Sequence, residues 1–187
     1  MTLPLIVGIS GATGAIYGIE VLKVLHELGN PAHLILSETA VRNFSIETDY
    51  SLDEVRKLAA EVYSNKDLAA AVSSGSFPTQ GMLIAPCSMK TLSGIANSFS
   101  QNLLIRAADV TLKERRRLVL LARETPLHKG HLELMVKATD LGAIILPPVA
   151  AFYHRPKTIM DIVHQTVGRA LDQFGIEHDL FERWKGV

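Results

Sequence analysis

The sequence predicts a three-layer α/β fold: a parallel sheet with helices packed on both of its faces. Three observations carry this. Five short apolar runs alternate with segments of helical periodicity, the order expected of successive βαβ units. The apolar runs are continuous and not alternating, as strands covered on both faces should be. The segments rich in glycine, hydroxyls, charge or proline all follow strands. In open parallel sheets that is where ligands bind, outside the carboxyl ends of the strands.

In chain order, "PLIVGIS" reads as the first strand. A helix follows over 14–28, with Val21, Val24, Leu25 and Leu28 at i, i+3, i+4 and i+7, and "LGNP" stops it. "AHLILS" is the second strand. The segment from Glu38 to about Ser64 reads as helical and polar, with a cap at Ser51 answered by Glu54 three residues on. "SSGSFPT" is a loop, and "GMLIAP" the third strand. Helices are expected near 90–97 and 103–115, then a fourth strand in "RLVLLA", a helix over about 129–140, and a fifth strand in "GAIILP". The last helix covers 157–174, where Ile159, Ile162, Val163, Thr166, Val167, Ala170 and Leu171 form one stripe. There is no repeat, low-complexity tract or linker, so a single domain over 1–187 is expected.

Composition excludes several classes of partner. The 19 basic residues are matched by 19 acidic ones, which argues against nucleic acid or a membrane surface as partner. No run approaches the roughly 18 apolar residues of a membrane span, and no basic, then apolar, leader opens the chain. The single cysteine, Cys87, forbids an internal disulfide and fits a reducing, cytoplasmic compartment. A hydrophobic content of 48% suggests surface buried between copies of the chain.

The chemistry lies in the loops. "GISGATGAIYG" is a bare, hydroxyl-bearing turn from the first strand into a helix, suited to holding a phosphate on backbone N–H groups. Its glycines, Gly8, Gly11 and Gly14, do not follow the dinucleotide pattern. Ser37, and not an acidic residue, ends the second strand, so a mononucleotide fits better. "PCSMKT" supplies a second anion cradle, with Ser88 and Thr91 at a helix start and Lys90 between them. Cys87 reads as a buried, inert thiol. No His, Cys, Asp and Glu residues cluster with metal-ligand spacing, so a metal-independent reaction is expected. Arg123 and Glu124 follow the fourth strand, and Tyr153 and Arg155 the fifth. Arg169 lies about 20° round the last helix from Ile162, at the edge of the apolar stripe. A partly desolvated guanidinium there calls for an anionic partner.

"GISGATGAIYG", "ETD", "SSGSF", "PCSMKTLSGIA", "RAADVTLKERRRLVLLARETPL", "PPVAAFYHRP" and "LDQFGI" together resemble the UbiX-type flavin prenyltransferases, once described as a subunit of aromatic-acid decarboxylases. The resemblance runs from Leu5 to Trp184. It implies a flavodoxin-like or Rossmann-like fold, a homo-oligomer of dodecamer type, and transfer of a dimethylallyl group from dimethylallyl phosphate to reduced FMN. The product, prenylated FMN, would serve a UbiD-type decarboxylase. Carried over by position, the FMN contacts fall on Gly11, Ala12, Thr13, Ser37, Ser88, Met89, Lys90, Thr91 and Arg123. Donor contacts fall on Lys113, Tyr153, Arg169 and Trp184, and groups near the reacting edge on Glu47, Glu124 and Thr13. Thr13 departs from the serine common in this family, which keeps the hydroxyl and adds a methyl. Two other readings stand beside this one: an FMN-dependent decarboxylase of cysteine-derived substrates, although "GATGAIYG" lacks the histidine that chemistry uses, and a non-catalytic FMN carrier.

Overall fold

In the computed structural model, which describes residues 2–184 and 186, six parallel strands form one sheet in the order β3-β2-β1-β4-β5-β6. The strands are β1 (Leu5–Ile9), β2 (Ala32–Leu36), β3 (Glu61–Ser64), β4 (Gly81–Cys87), β5 (Arg117–Ala122) and β6 (Ala143–Ile145). Seven α-helices connect and cover them: α1 (Ala15–Glu27), α2 (Glu38–Glu47), α3 (Leu52–Lys57), α4 (Met89–Ala96), α5 (Leu103–Lys113), α6 (Lys129–Asp140) and α7 (Ile159–Asp172). This is the doubly wound order, which reverses direction between β1 and β4. A crevice opens at such a reversal because the connections leaving the two strands diverge to opposite faces.

Alternation along the strands explains the layers. Leu5, Val7 and Ile9 of β1 face one side, where Ile19, Leu22 and Leu25 of α1 and Val167 and Leu171 of α7 cover them, with Phe44 and Val55 filling the margin. Ile6 faces the other side, in one cluster with Leu92 of α4, Leu104 and Ala108 of α5 and Ala138 of α6. Both faces are therefore dry. That is why β1 and β4 are buried at every residue and read as unbroken apolar runs.

One expectation fails. Residues 38–64 do not form one helical segment: two helices are followed by a sixth strand, β3. The capping box at Ser51 and Glu54 is present as expected, but the helix it opens is only six residues long. β3 has four residues, pairs with β2 alone and is exposed at both ends. An edge strand of this kind needs little hydrophobic content and leaves no apolar signal in the sequence. Its place is secured from the side, where the Tyr63 hydroxyl meets Nδ1 of His33 on β2 at 3.0 Å.

Candidate functional site

A cavity of about 940 Å³ lies at the carboxyl ends of the strands, beside the reversal point. It brings together Gly11, Ser37, Ser88, Lys90 and Thr91, all named from the sequence. Tyr63, Asn65, Lys66 and Asn102 also line it, and sequence reasoning missed them. Three helices begin at this cavity. Ser37 caps α2 by accepting from the Ala40 N–H at 3.1 Å, Ser88 caps α4 by accepting from Thr91 N–H at 3.3 Å, and Asn102 caps α5. Each start has further N–H groups and a positive dipole end to offer an anion. Lys66 is engaged with Glu38 at 2.7 Å, whose carboxyl is held below its ordinary range by that hydrogen bond and charge.

The glycine turn borders the cavity but works differently from the sequence expectation. Gly14 caps α1 at φ 98°, a conformation that favours glycine. The first amides of α1 are not open to a ligand. Oε2 of Glu47 accepts from Gly14 N–H at 2.8 Å and from Ala15 N–H at 3.0 Å. One turn earlier on α2, Asn43 donates to the Ala12 carbonyl at 2.9 Å. On the other side, the Ser10 hydroxyl donates to the Pro86 carbonyl and accepts from Ser88 N–H, tying β1 to β4. The turn is thus clamped by α2 and β4, and Glu47 takes the anion position at α1. Gly11 is the residue that the turn contributes to the cavity lining, beside the starts of α2 and α4. Ala12 and Thr13 lie on the same turn outside the cavity lining, and Thr13 is exposed. Met89 opens α4 between Ser88 and Lys90, also outside the lining.

Arg123 leaves the carboxyl end of β5, its N–H bonded to the Cys87 carbonyl at 3.0 Å. Tyr17 of α1 lies within its electrostatic reach: burial raises the phenol's pKa, and the guanidinium opposes that. Glu124 is exposed, with Oε1 accepting from Thr125 N–H. Cys87 is fully buried, and burial pushes its thiol up to about 12, so it is no nucleophile. Among the described residues, no three His, Cys, Asp or Glu side chains gather where they could hold a metal ion.

A second group of named residues lies on α7 and the segments on either side of it. The Tyr153 hydroxyl accepts from Nε2 of Gln165 at 3.2 Å, which leaves the hydroxyl proton to be given to an acceptor. Trp184 stands edge-on to the Tyr153 ring, with centroids 6.0 Å apart. Arg169 is half-exposed, at 50%, and its anionic partner within the chain is Asp172, at 3.0 Å. Asp172 also receives Arg183 and lies 3.2 Å from His178. Burial would raise the Asp172 carboxyl, but the Arg183 hydrogen bond and the nearby charges hold it below its ordinary value. A carboxylate with a depressed folded pKa contributes its stability above the unfolded value, about 3.9, and loses it as pH falls through the lower folded value. The stability gap between the wild type and Asp172→Asn is therefore expected to be constant near neutrality and to shrink on acidification below that range. Paired thermal melts across pH check it, and a gap that widens in acid would contradict it.

Lys113 stands apart. It ends α5, just before the amino end of β5, where its Nζ pairs with Glu114. Arg123 and Ser88 lie at the carboxyl ends, so about 20 Å of strand separates them from Lys113. Arg169, in the last turn of α7, also lies toward the amino edge, since the Gln173 carbonyl just beyond it accepts from Arg117 at the start of β5.

Comparison with known proteins identifies the family. The family described as Flavoprotein matches residues 2–171. The flavin prenyltransferase UbiX of Escherichia coli K12 is 58% identical over 186 residues, covering 98% of each chain. The chain belongs to the UbiX flavin prenyltransferases. Among solved structures, that of AnUbiX in complex with FMN and dimethylallyl pyrophosphate superposes with a TM-score of 0.98, at 49% identity over the whole of both chains. A dodecameric FMN-dependent UbiX-like decarboxylase from Escherichia coli O157:H7 gives 0.96 at 49% identity, covering 98% of this chain and 100% of that one. The FMN-dependent cysteine decarboxylase TvaF, at 14% identity, shares the fold alone. Among the described residues, no helix is long and apolar enough to cross a membrane.

Proposed function

We propose that the chain transfers a dimethylallyl group from dimethylallyl phosphate to reduced FMN, in the cytoplasm, as a dodecamer whose product passes to a UbiD-type decarboxylase. One observation carries this reading: a mononucleotide-sized cavity ringed by three hydroxyl- or amide-capped helix starts, together with a separate Tyr153–Trp184 pair within reach of the Arg183 charge, suited to a second, partly apolar anion. A carrier would need only the first.

FMN fits the cavity. Gly11 presents no side chain to it, Ser37, Ser88 and Thr91 surround it with hydroxyls at helix starts, and Lys90 adds a cation. Ala12, Thr13, Met89 and Arg123 complete its binding set. Bound and reduced, FMN supplies a nucleophilic nitrogen and a neighbouring ring carbon that closes the new ring. The chain's own residues do the rest. As the donor C–O bond breaks, the electron pair goes to the phosphate. Arg169, Lys113 and the Tyr153 O–H stabilise that charge, and Arg123 adds to it. The faces of Tyr153 and Trp184 favour the positive five-carbon fragment. Glu47 uses Oε2 for both amides of α1, so its other oxygen is available to take up the proton released at ring closure. Glu124 and the Thr13 hydroxyl are the further proton-carrying groups. Since Lys113 stands at the far edge of its own sheet, it acts on the donor held by a neighbouring copy.

Mass spectrometry of the flavin after incubation with reduced FMN and either the mono- or the diphosphate donor tests the assignment. A five-carbon gain supports it, and an unchanged flavin with both donors refutes it. With the leaving phosphate met by Lys, Arg and Tyr donors, a chelator is expected to leave the rate unchanged. Inhibition reversed by a divalent ion would show that the cationic cluster is not sufficient.

A further inference from the structure

We propose that Asp172 is a positioning residue of the donor subsite: through Arg183 it clasps the segment after α7 so that Trp184 stands against Tyr153, and with its second oxygen it orients Arg169. The proposal rests on reading Tyr153 and Arg169 as donor contacts.

The segment from 176 to 184 has no helix or strand of its own, so side chains hold it in place. Gly168 makes room for them. A Cβ there would lie 2.5 Å from Cε1 of His178 and 2.6 Å from Cε1 of Phe181, so the two rings sit directly on the bare backbone of α7. The buried His178 ring presents Nε2 to two acceptors, the Gly168 carbonyl at 2.9 Å and Asp172 Oδ1 at 3.2 Å. Its Nδ1 accepts from Leu180 N–H at 3.3 Å. These bonds place a proton on Nε2 and leave Nδ1 as the acceptor.

Arg183 then closes the clasp. Nη2 meets Asp172 Oδ1 at 2.7 Å and Nη1 meets Oδ2 at 3.1 Å, a two-pronged pair. The guanidinium also lies 5.5 Å from the centre of the Phe181 ring. Arg169 Nη1 shares Oδ2 at 3.0 Å. Both oxygens thus serve two donors, and Arg183, which supplies one to each, immediately precedes Trp184 in the chain. Trp184 is 61% exposed and would swing freely without its neighbour's anchor. A guanidinium held at one nitrogen keeps its other N–H groups aimed in a fixed direction, which lowers the ordering needed when phosphate arrives.

The test uses FMN-loaded Arg183→Gln, Arg183→Lys and Asp172→Asn. Trp184 is the chain's single tryptophan, so quenching of its emission reports the accessibility of that one ring. In Arg183→Gln, acrylamide quenching of that emission should rise, and KM for dimethylallyl phosphate should increase roughly tenfold, from the loss of a charge-assisted pair. Flavin retention should be unchanged. Arg183→Lys should recover part of both effects, since it keeps the charge and loses the fork. Asp172→Asn should show the larger KM increase because it also releases Arg169. Should that variant fold poorly, the surface change at Arg183 still decides the matter. Wild-type KM and kcat in Arg183→Gln overturn the proposal, whatever the tryptophan does, and so does loss of flavin together with activity. Arg169→Ala run alongside separates the two levels: full activity there overturns the donor-site reading itself, whereas a slow Arg169→Ala beside a normal Arg183→Gln overturns only the clasp.

Discussion

Gly11→Val is expected to yield a folded but colourless protein. Gly11 meets the first turn of α2 so closely that a Cβ at this position would lie 2.5 Å from Cβ of Thr39 and 2.7 Å from its Cγ2. Cβ of Thr39 is tied to the helix backbone and cannot swing aside, so the backbones must part. Overpacking of this kind costs about 1–3 kcal/mol. Here the movement falls on the wall between Gly11 and Ser37, both of which line the cavity. If that strain is relieved only by spreading the site, flavin affinity falls by roughly 5- to 150-fold. Valine's two further methyls point the same way, so flavin should be lost on dilution during purification. Gly11→Ala should lie between the two. The visible flavin absorption of the purified variant, beside its far-ultraviolet dichroism, checks the expectation. A variant that stays fully yellow would show that Gly11 is not part of the flavin wall.

Arg169→Ala should do the reverse, retaining flavin and losing transfer. Arg169 does not line the cavity that holds Ser37 and Ser88, and its nearest charged partner is Asp172 on its own helix. Flavin titration should therefore match the wild type. Removing a hydrogen bond to a charged group costs about 1.5–3 kcal/mol, which corresponds to a roughly 10- to 150-fold slower single turnover. The half-exposed position of the side chain favours the lower part of that range. Arg169→Lys should recover a fraction, because an ammonium keeps the charge without the planar fork. Joint loss of flavin and activity would place Arg169 in the flavin site or in the fold. Full activity would remove it from the chemistry.

The sheet was legible wherever burial made it so. β1 and β4 are apolar from end to end, and β5 is apolar after Arg117, because both faces are covered, and each was readable as a strand. β3 was not, because "EVYS" sits at an edge and follows a capped helix whose polar pattern it continues. The cavity's hydroxyls were readable too, since Ser37 and Ser88 follow strands and open helices. The fate of the α1 amides was not. Glu47 reaches them only because α2 folds back across the turn, a contact spanning 32 and 33 residues that no local pattern encodes. Asp172 could have been found, standing three residues beyond Arg169 on one helix face. So could the isolation of Lys113. Helices return antiparallel to the strands they cover, so the end of a helix that precedes a strand lies at the amino edge, opposite the ligands.

That location of Lys113 changes what counts as one enzyme. A lysine that serves a neighbour's donor makes the folded monomer, flavin and all, an incomplete machine. Turnover per chain then depends on total protein concentration, falling as the assembly is diluted apart even though each chain keeps its colour. On this proposal, the surface around Lys113 is constrained by chemistry performed elsewhere, and a substitution there is expected to damage sites in other copies while sparing its own. Two chains inactive for opposite reasons, one lacking the lysine and one lacking the donor arginine, would therefore restore intact sites when assembled together.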